Sequence, residues 1–264
     1  MKHVIGLLTL TLMTGLILTS CKKAVKETAQ EEISATTLAK IQSHGFGTST
    51  VQKTEEGYMV EGDIILTEEF LNSAPGGTLL RIANNEQYRT TNLVNVGGGV
   101  RNITISSSGS VNANVSNGIN AAIARYNAEN LQITMSRVPS GGNINIKIVN
   151  GGPYIASAGF PTGGNPYNEV KFNRQYQNYI LDFVTTVITH ELGHCIGMRH
   201  TDYMDRSFSC GGAASNEGAS NVGAILIPGT PAGPDEESWM LSCLSATTNR
   251  PFNANDITAL RYIY

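Results

Sequence analysis

Near the N-terminus a continuous apolar run, Val4 to Leu18, follows Lys2 and His3 and closes in Leu18-Thr19-Ser20-Cys21. A positive start followed by so short an apolar stretch reads as a secretion signal over residues 1–21, not as a comfortable membrane span. Residues 22–40 are polar and predict a tether or a loose helix. Order is expected to begin at "GFGTSTVQKTEEGYMVEGDIILTEEFL", with Gly57 at a turn between strands and "YMVEGDIIL" as the longer strand. Gly- and Asn-rich stretches at 73–77 and 95–99 then separate this region from the rest of the chain, placing a boundary between about 80 and 95.

From Val100 the pattern is α+β. "VRNITIS", "LQITMSRV" and "INIKIV" alternate as strands, the last with Ile144, Ile146 and Ile148 on one side. "SNGINAAIARYNAE" sets Ile119, Ala122, Ile123 and Tyr126 on one helical face. "GGPYIASAGFPTGGNPYNEVKFN" reads as a Gly- and Pro-broken strand, a loop and a further strand. A second major helix is expected from about Gln177 to Gly197, then a long stretch over 204–237 with no regular period. Such a stretch is uncommon in a compact domain unless functional or tethered. In "NRPFNANDITALRYIY", Asn253 and Asp256 have capping-box spacing, and Ile257, Leu260 and Ile263 supply a core face.

With 264 residues, 41% hydrophobic and 15% charged, the chain can bury a core, and a net charge of −3 leaves no electrostatic footprint for nucleic acid. Leu18 to Cys21 resembles the bacterial lipobox, which implies that Cys21 is diacylated and becomes the new N-terminus; an ordinary signal peptide cut nearby is the alternative. Lys22 stands where an aspartate would retain a lipoprotein in the inner membrane, so the expected place is the outer membrane or cell surface. That anchor is the one membrane contact expected, of a monomer. Three further cysteines cannot all pair internally. Cys210 with Cys243 is favoured, because the two bracket a Gly- and Ser-rich stretch, and closing a loop of this length contributes about 4 kcal/mol in the chain-entropy model. Cys195 is then a small buried thiol.

Three of the five histidines fall within "HELGHCIGMRH", residues 190–200. His190 and His194, four apart, project from one helical face and suit convergence on a zinc ion. Glu191 is offset by about 100° around the axis, placed to reach a water without binding the metal. Gly197 permits a sharp reversal that brings back His200. Three neutral imidazoles leave a fourth position open, the mark of a catalytic zinc site.

This HExxHxxGxxH motif resembles that of the metzincin zinc peptidases. Met240 in "SWMLSC", forty residues after His200, fits their Met-turn, and "YIASAGFP" resembles their substrate-aligning edge strand. Together with "VEGDIIL" and "NRPFNANDITALRYIY", these segments resemble the bacterial HEIGH-type metallopeptidases, peptidase family M57, and more distantly the astacins. The resemblance implies a metzincin-like catalytic domain over 91–264: a twisted mixed sheet with two main helices, then a mostly irregular subdomain ending in a helix. A polar tether at 22–44 and a small pro-segment at 45–90 precede it. Thr201 and Ser242 occupy the positions of an astacin glutamate and tyrosine. Tyr203 is a candidate for that tyrosine's oxyanion-stabilising role, and a packing tyrosine is the alternative. Asp63 resembles the aspartate of the astacin pro-segment motif FxGD, with Val60 in place of the aromatic; it is either a latch on the metal, released by cleavage at Arg81 or Arg89, or a β-turn aspartate.

The expected activity is hydrolysis of protein or peptide substrates with Zn2+ as cofactor and Glu191 as general base. A surface lipoprotein that binds zinc or a partner without turnover is the alternative. Replacing Cys21 with Ser is expected to release the protein from membranes, and a variant still sedimenting with membranes after a salt wash would exclude the anchor.

Overall fold

Alternating segments with one apolar face pair most easily with one another, and here they build a single mixed sheet of eight strands. The computed structural model describes residues 32–44, 46–73, 87–152, 154–214, 224–230 and 233–264. The expected signal segment over residues 1–21, with Cys21, and also Arg81 lie outside the described residues. In chain order the elements are α1 (Ala35–Ser43), β1 (Gln52–Thr54), β2 (Gly57–Val60), β3 (Ile64–Leu66), α2 (Glu68–Asn72), β4 (Tyr88–Arg89), β5 (Arg101–Ser108) and α3 (Ala113–Asn127). They continue with β6 (Ile133–Arg137), β7 (Ile144–Val149), β8 (Ala156–Gly159), β9 (Glu169–Asn173), α4 (Leu181–Cys195), α5 (Ser207–Cys210), β10 (Ile225–Leu226) and α6 (Ala254–Ile263). The sheet runs β1-β2-β3-β8-β9-β7-β5-β6, and β4 pairs separately with β10.

β5, β6, β7 and β9 are parallel, and β8 enters antiparallel beside β9. Ile144, Ile146 and Ile148 of β7 are buried in the same core as Ile119, Ala122, Ile123 and Tyr126 of α3, and Val184, Val187 and Ile188 of α4. Tyr126 adds a directional tie between the helices, its hydroxyl donating to the Thr189 carbonyl at 2.8 Å. A second, smaller core gathers Ile41, Phe46, Val60, Ile64, Leu66, Phe70 and Leu71 around Phe160, which follows β8.

Three local expectations are corrected. "YMVEGDIIL" is a hairpin rather than one strand: β2 and β3 are antiparallel, joined through Glu61-Gly62-Asp63 with φ of 56° at Glu61 and 91° at Gly62. The second main helix starts at Leu181, because Ile180 is extended at ψ 146° and the preceding residues Arg174–Tyr176 form a short 3-10 turn. Within 204–237, α5 and β10 are short regular pieces that neighbouring contacts impose without any periodic pattern. The Cys210–Cys243 disulfide, with Cα atoms 5.1 Å apart, tethers this region, and Cys195 is a buried free thiol.

α6 begins as its sequence dictates, with the Asn253–Asp256 capping box complete. Only Leu260 of its expected core face is fully buried, joined by Ala259; Ile257 and Ile263 are half-buried. The Asp256 carboxylate also accepts from the Gln87 amide at 2.6 Å, the Ser238 hydroxyl at 2.8 Å and the Trp239 N–H at 3.2 Å. One buried carboxylate thus joins β4's approach, the 238–240 turn and the last helix. Burial pushes its pKa from the ordinary 3.8 up to about 7, against the hydrogen bonds that lower it. The folded carboxyl therefore binds its proton more tightly than the unfolded one, and the stability this confers is present below the ordinary value and lost as pH rises through about 7. Asp256→Asn is expected to destabilise the fold by about 1–3 kcal/mol near pH 4, because the amide NH2 cannot accept from the two donors that face that position, whereas a carboxyl oxygen keeps an acceptor lone pair there. Urea unfolding should show that margin over the variant narrowing toward pH 8.

Candidate metal centre

α4 carries its histidines in a wholly buried setting: from Phe183 to Cys195 every residue is buried. His190 and His194 sit one turn apart on it. The helix then closes with Gly197 N–H donating to His194 O and Met198 N–H to Gly193 O, both at 2.9 Å. Gly197 holds φ 108°, and a Cβ there would lie 2.8 Å from Leu93 Cδ2 and 3.1 Å from Asn92 O. Conformation and space both demand glycine. The reversed chain is pinned by Arg199 N–H to Tyr88 O at 2.8 Å and Thr201 N–H to Met240 O at 2.9 Å, which returns His200 to the other two histidines.

The three imidazole rings lie 4.7, 4.9 and 5.2 Å apart by their centres. His190 Nδ1 faces the Trp239 carbonyl and His194 Nδ1 the Met198 carbonyl, each at 2.8 Å. A carbonyl can only accept, so both protons sit on Nδ1 and both Nε2 lone pairs point inward. The Asp63 turn completes the cluster, with Asp63 Oδ2 3.2 Å from His200 Nε2 and 3.5 Å from His190 Nε2. Its backbone is anchored by Ala158 N–H donating to Asp63 O at 2.9 Å, at the start of the parallel β3–β8 pairing. Asp63 is thus a turn residue and a neighbour of the histidines at once.

One ligand atom from each of Asp63, His190, His194 and His200 lies within 4.8 Å of the others. His194 Nε2 is buried with no hydrogen-bond partner, as are Asp63 Oδ1 and Glu191 Oε2. A buried lone pair without a donor is costly, and a cation supported by three imidazoles and a carboxylate removes that cost. Nitrogen and oxygen donors in this number fit zinc. The titration of the cluster obeys the same logic. Although burial raises it, the Asp63 carboxyl is held well below its usual range by His200, His190 and His194. Burial, then the Asp63 charge, push Glu191 well above its own. Burial and the other two imidazoles hold His194 well below the ordinary histidine value.

Met240 packs directly under α4. A Cβ at Gly193 would lie 2.7 Å from Met240 Sδ and 3.2 Å from Trp239 Nε1, so the glycine of HELGH is what lets the turn reach the helix backbone. Tyr203 is buried edge-on against Tyr88 at 4.4 Å, with the Arg199 guanidinium 5.2 Å from its ring. Arg89, a suggested processing site, is paired with Ile225 in the β4–β10 ladder and bridged to Met198. Four contributors carried no motif: Trp239 and Met198 act through backbone carbonyls, which no residue type announces, and Glu61 and Arg199 form a buried ion pair beside His200. Neither charge stands out in the sequence, because Glu61 shares its segment with Asp63 and Arg199 shares its segment with Glu191.

Two imidazoles on a buried helix, a third returned by the chain reversal and a carboxylate from a hairpin turn converge on one point, a donor set that suits zinc. The family model described as the dual-action HEIGH metallo-peptidase matches residues 58–264, and the chain belongs to that family, Peptidase_M57. Its substrates are accordingly proteins or peptides. The matched region includes Glu61 and Asp63 as well as the histidine motif. Among solved structures the chain is similar to myroilysin, at 17% identity and a TM-score of 0.39 over 63% of this chain and 80% of that one. It is similar also to high choriolytic enzyme 1, a hatching enzyme zinc-protease of the medaka fish Oryzias latipes, at 13% identity and a TM-score of 0.38 over 70% and 98% of the two chains. No curated protein matches the chain.

Gly193→Val is expected to push the Trp239–Met240 turn off α4, lowering stability by about 1–3 kcal/mol and loosening the hold on His190. Thermal unfolding and zinc content of the purified variant check this, and an unchanged melting temperature with full zinc would contradict it.

Proposed function

We propose that the protein is a zinc endopeptidase made as a latent precursor, with Asp63 closing the metal site and the Cys21 lipid holding it at the bacterial outer membrane or cell surface. The observation that carries the latency is the position of Asp63 Oδ2, within 3.5 Å of Nε2 on both His190 and His200. Two features support it. β3 fills the outer edge of β8, where a peptide would otherwise add as a strand. The small core around Phe160, the residue after β8, holds Ile41, Phe46, Phe70 and the β2–β3 residues Val60, Ile64 and Leu66 against it.

His190, His194 and His200 would hold the metal, with the Trp239 and Met198 carbonyls setting the tautomer of the first two. Bound zinc supplies Lewis-acid activation of water and of the scissile carbonyl. With Asp63 withdrawn, Glu191, next to His190 on the same helix, would accept the proton of the attacking water. It then returns that proton to the leaving nitrogen. Arg89 is too deeply built into the sheet pairing to be the cut that frees the site, and we place that cut ahead of Gln87, whose side chain holds Asp256 and Ser238.

Glu191→Gln is expected to keep its zinc and its fold while losing about 10²–10⁴-fold in hydrolysis of an unfolded protein. Asp63→Ala should give a full-length chain that is active or processes itself early, and the pair Asp63→Ala, Glu191→Gln should stay intact on a gel. If full-length Asp63→Ala is no more active than the wild-type precursor, the latch is excluded and the peptidase stands.

A further inference from the structure

Phe160, the residue after β8, is where the metal-bearing part of the chain enters the smaller core. Among the described residues, every other buried member of that core lies between Ile41 and Leu71, and the half-buried Leu38, Val51 and Tyr58 that pack on it come from the same segment. Phe160 is 2% exposed. Its ring stacks on Phe46 at 5.7 Å, lies 6.3 Å from Phe70, and meets the His194 ring edge-on at 5.5 Å.

Ile64 is in register with Ala158 and Ile65 with Gly159, and a Cβ at Gly159 would lie 2.7 Å from Ile65 O, so the β3 backbone runs tightly along the edge of β8. Side chains alternate along a strand. Ile64 and Leu66 accordingly join Phe160 in the small core, whereas Ile65 between them does not. Ile64 directly follows Asp63, whose carboxylate lies beside the metal histidines. The precursor thus lays an extended segment on the β8 edge, with a carboxylate at the metal and alternate aliphatic side chains turned to Phe160. A peptide adding to the same edge takes its affinity from the backbone and its selectivity from the places its alternate side chains enter. Once residues 41–71 leave, Phe160 stands uncovered next to His194, and an apolar substrate side chain is what restores its burial.

We infer that Phe160 is a specificity-determining residue, the wall of an apolar subsite that selects substrates with a large aliphatic or aromatic side chain close to the bond cleaved; this rests on the latent-peptidase reading above. The test uses the full-length chain after limited proteolysis has removed the segment ahead of Gln87. Its substrates are peptides that differ only in Leu against Asn, side chains of similar size, at each of the three positions on either side of the cleaved bond. At one or more positions kcat/KM is expected to favour Leu by about tenfold or more. Phe160→Ala should collapse that ratio at the position facing residue 160 and leave the others as they were, whereas a purely structural disturbance would lower all peptides in common. Phe160→Leu keeps an apolar side chain for the precursor's core and should lower the preference for Phe over Leu at the same position by about threefold. With the peptides cleaved, a ratio near one at every position, or ratios that both variants leave untouched, overturns the assignment of Phe160 and leaves the latent peptidase standing. A full-length chain that cleaves them as fast as the processed one overturns the latency and the subsite with it. Cleavage of none by either form overturns the peptidase as well. Phe160→Leu decides the matter even if Phe160→Ala fails to fold.

Discussion

The approach of the Trp239–Met240 turn to the backbone of α4 is the contact on which the metal cluster depends. The Trp239 carbonyl accepts a hydrogen bond from the Nδ1–H of His190, the Met240 sulfur lies against the bare Cα of Gly193, and the Met240 carbonyl accepts from the N–H of the residue after His200. Two of the three imidazoles are therefore oriented through one turn. That turn is held from behind by Asp256, which binds its backbone at Trp239 and its side chain at Ser238 while capping α6. Because the carboxylate is buried, these hydrogen bonds act in a low dielectric, and losing one leaves an unpaired group that water cannot reach.

Among the described residues, several interactions join the region ahead of residue 74 to the rest, a Glu56–Lys171 ion pair among them. β3 pairs with β8 through backbone hydrogen bonds, Phe160 enters the small core of that region, and Glu61 and Asp63 contribute charge beside His200. Only the last is chemically specific to a metal site. The first two align the turn closely enough that carboxylates two residues apart reach neighbouring targets. In a hairpin turn, unlike a strand, side chains two apart need not share a direction, and the positive φ at Glu61 and Gly62 sets where each one points.

Much of the fold is legible along the chain itself. The apolar faces of α3 and β7 are buried as their periods required, since the spacing of side chains on a helix or strand is a local property. The capping box of α6 is equally local and formed in full. Where the chain departs from that pattern, a tertiary contact or a backbone angle intervenes. "YMVEGDIIL" reads as one strand flanked by turn residues, but left-handed backbone at Glu61 and Gly62 breaks it into two. The start of α4 carries no capping side chain, so nothing in its composition marks the boundary.

The sequence by itself determined the metal-facing set. Two histidines four apart on a helix and a third beyond a glycine reversal are placed by covalent geometry and helical pitch, and so is the glutamate beside the first. Only the tertiary structure decided what surrounds them. Asp63 meets His200, and Glu61 meets Arg199, across 137 and 138 residues of chain. No local spacing encodes contacts over that distance, because sheet pairing and the packing of two cores must first bring the segments together.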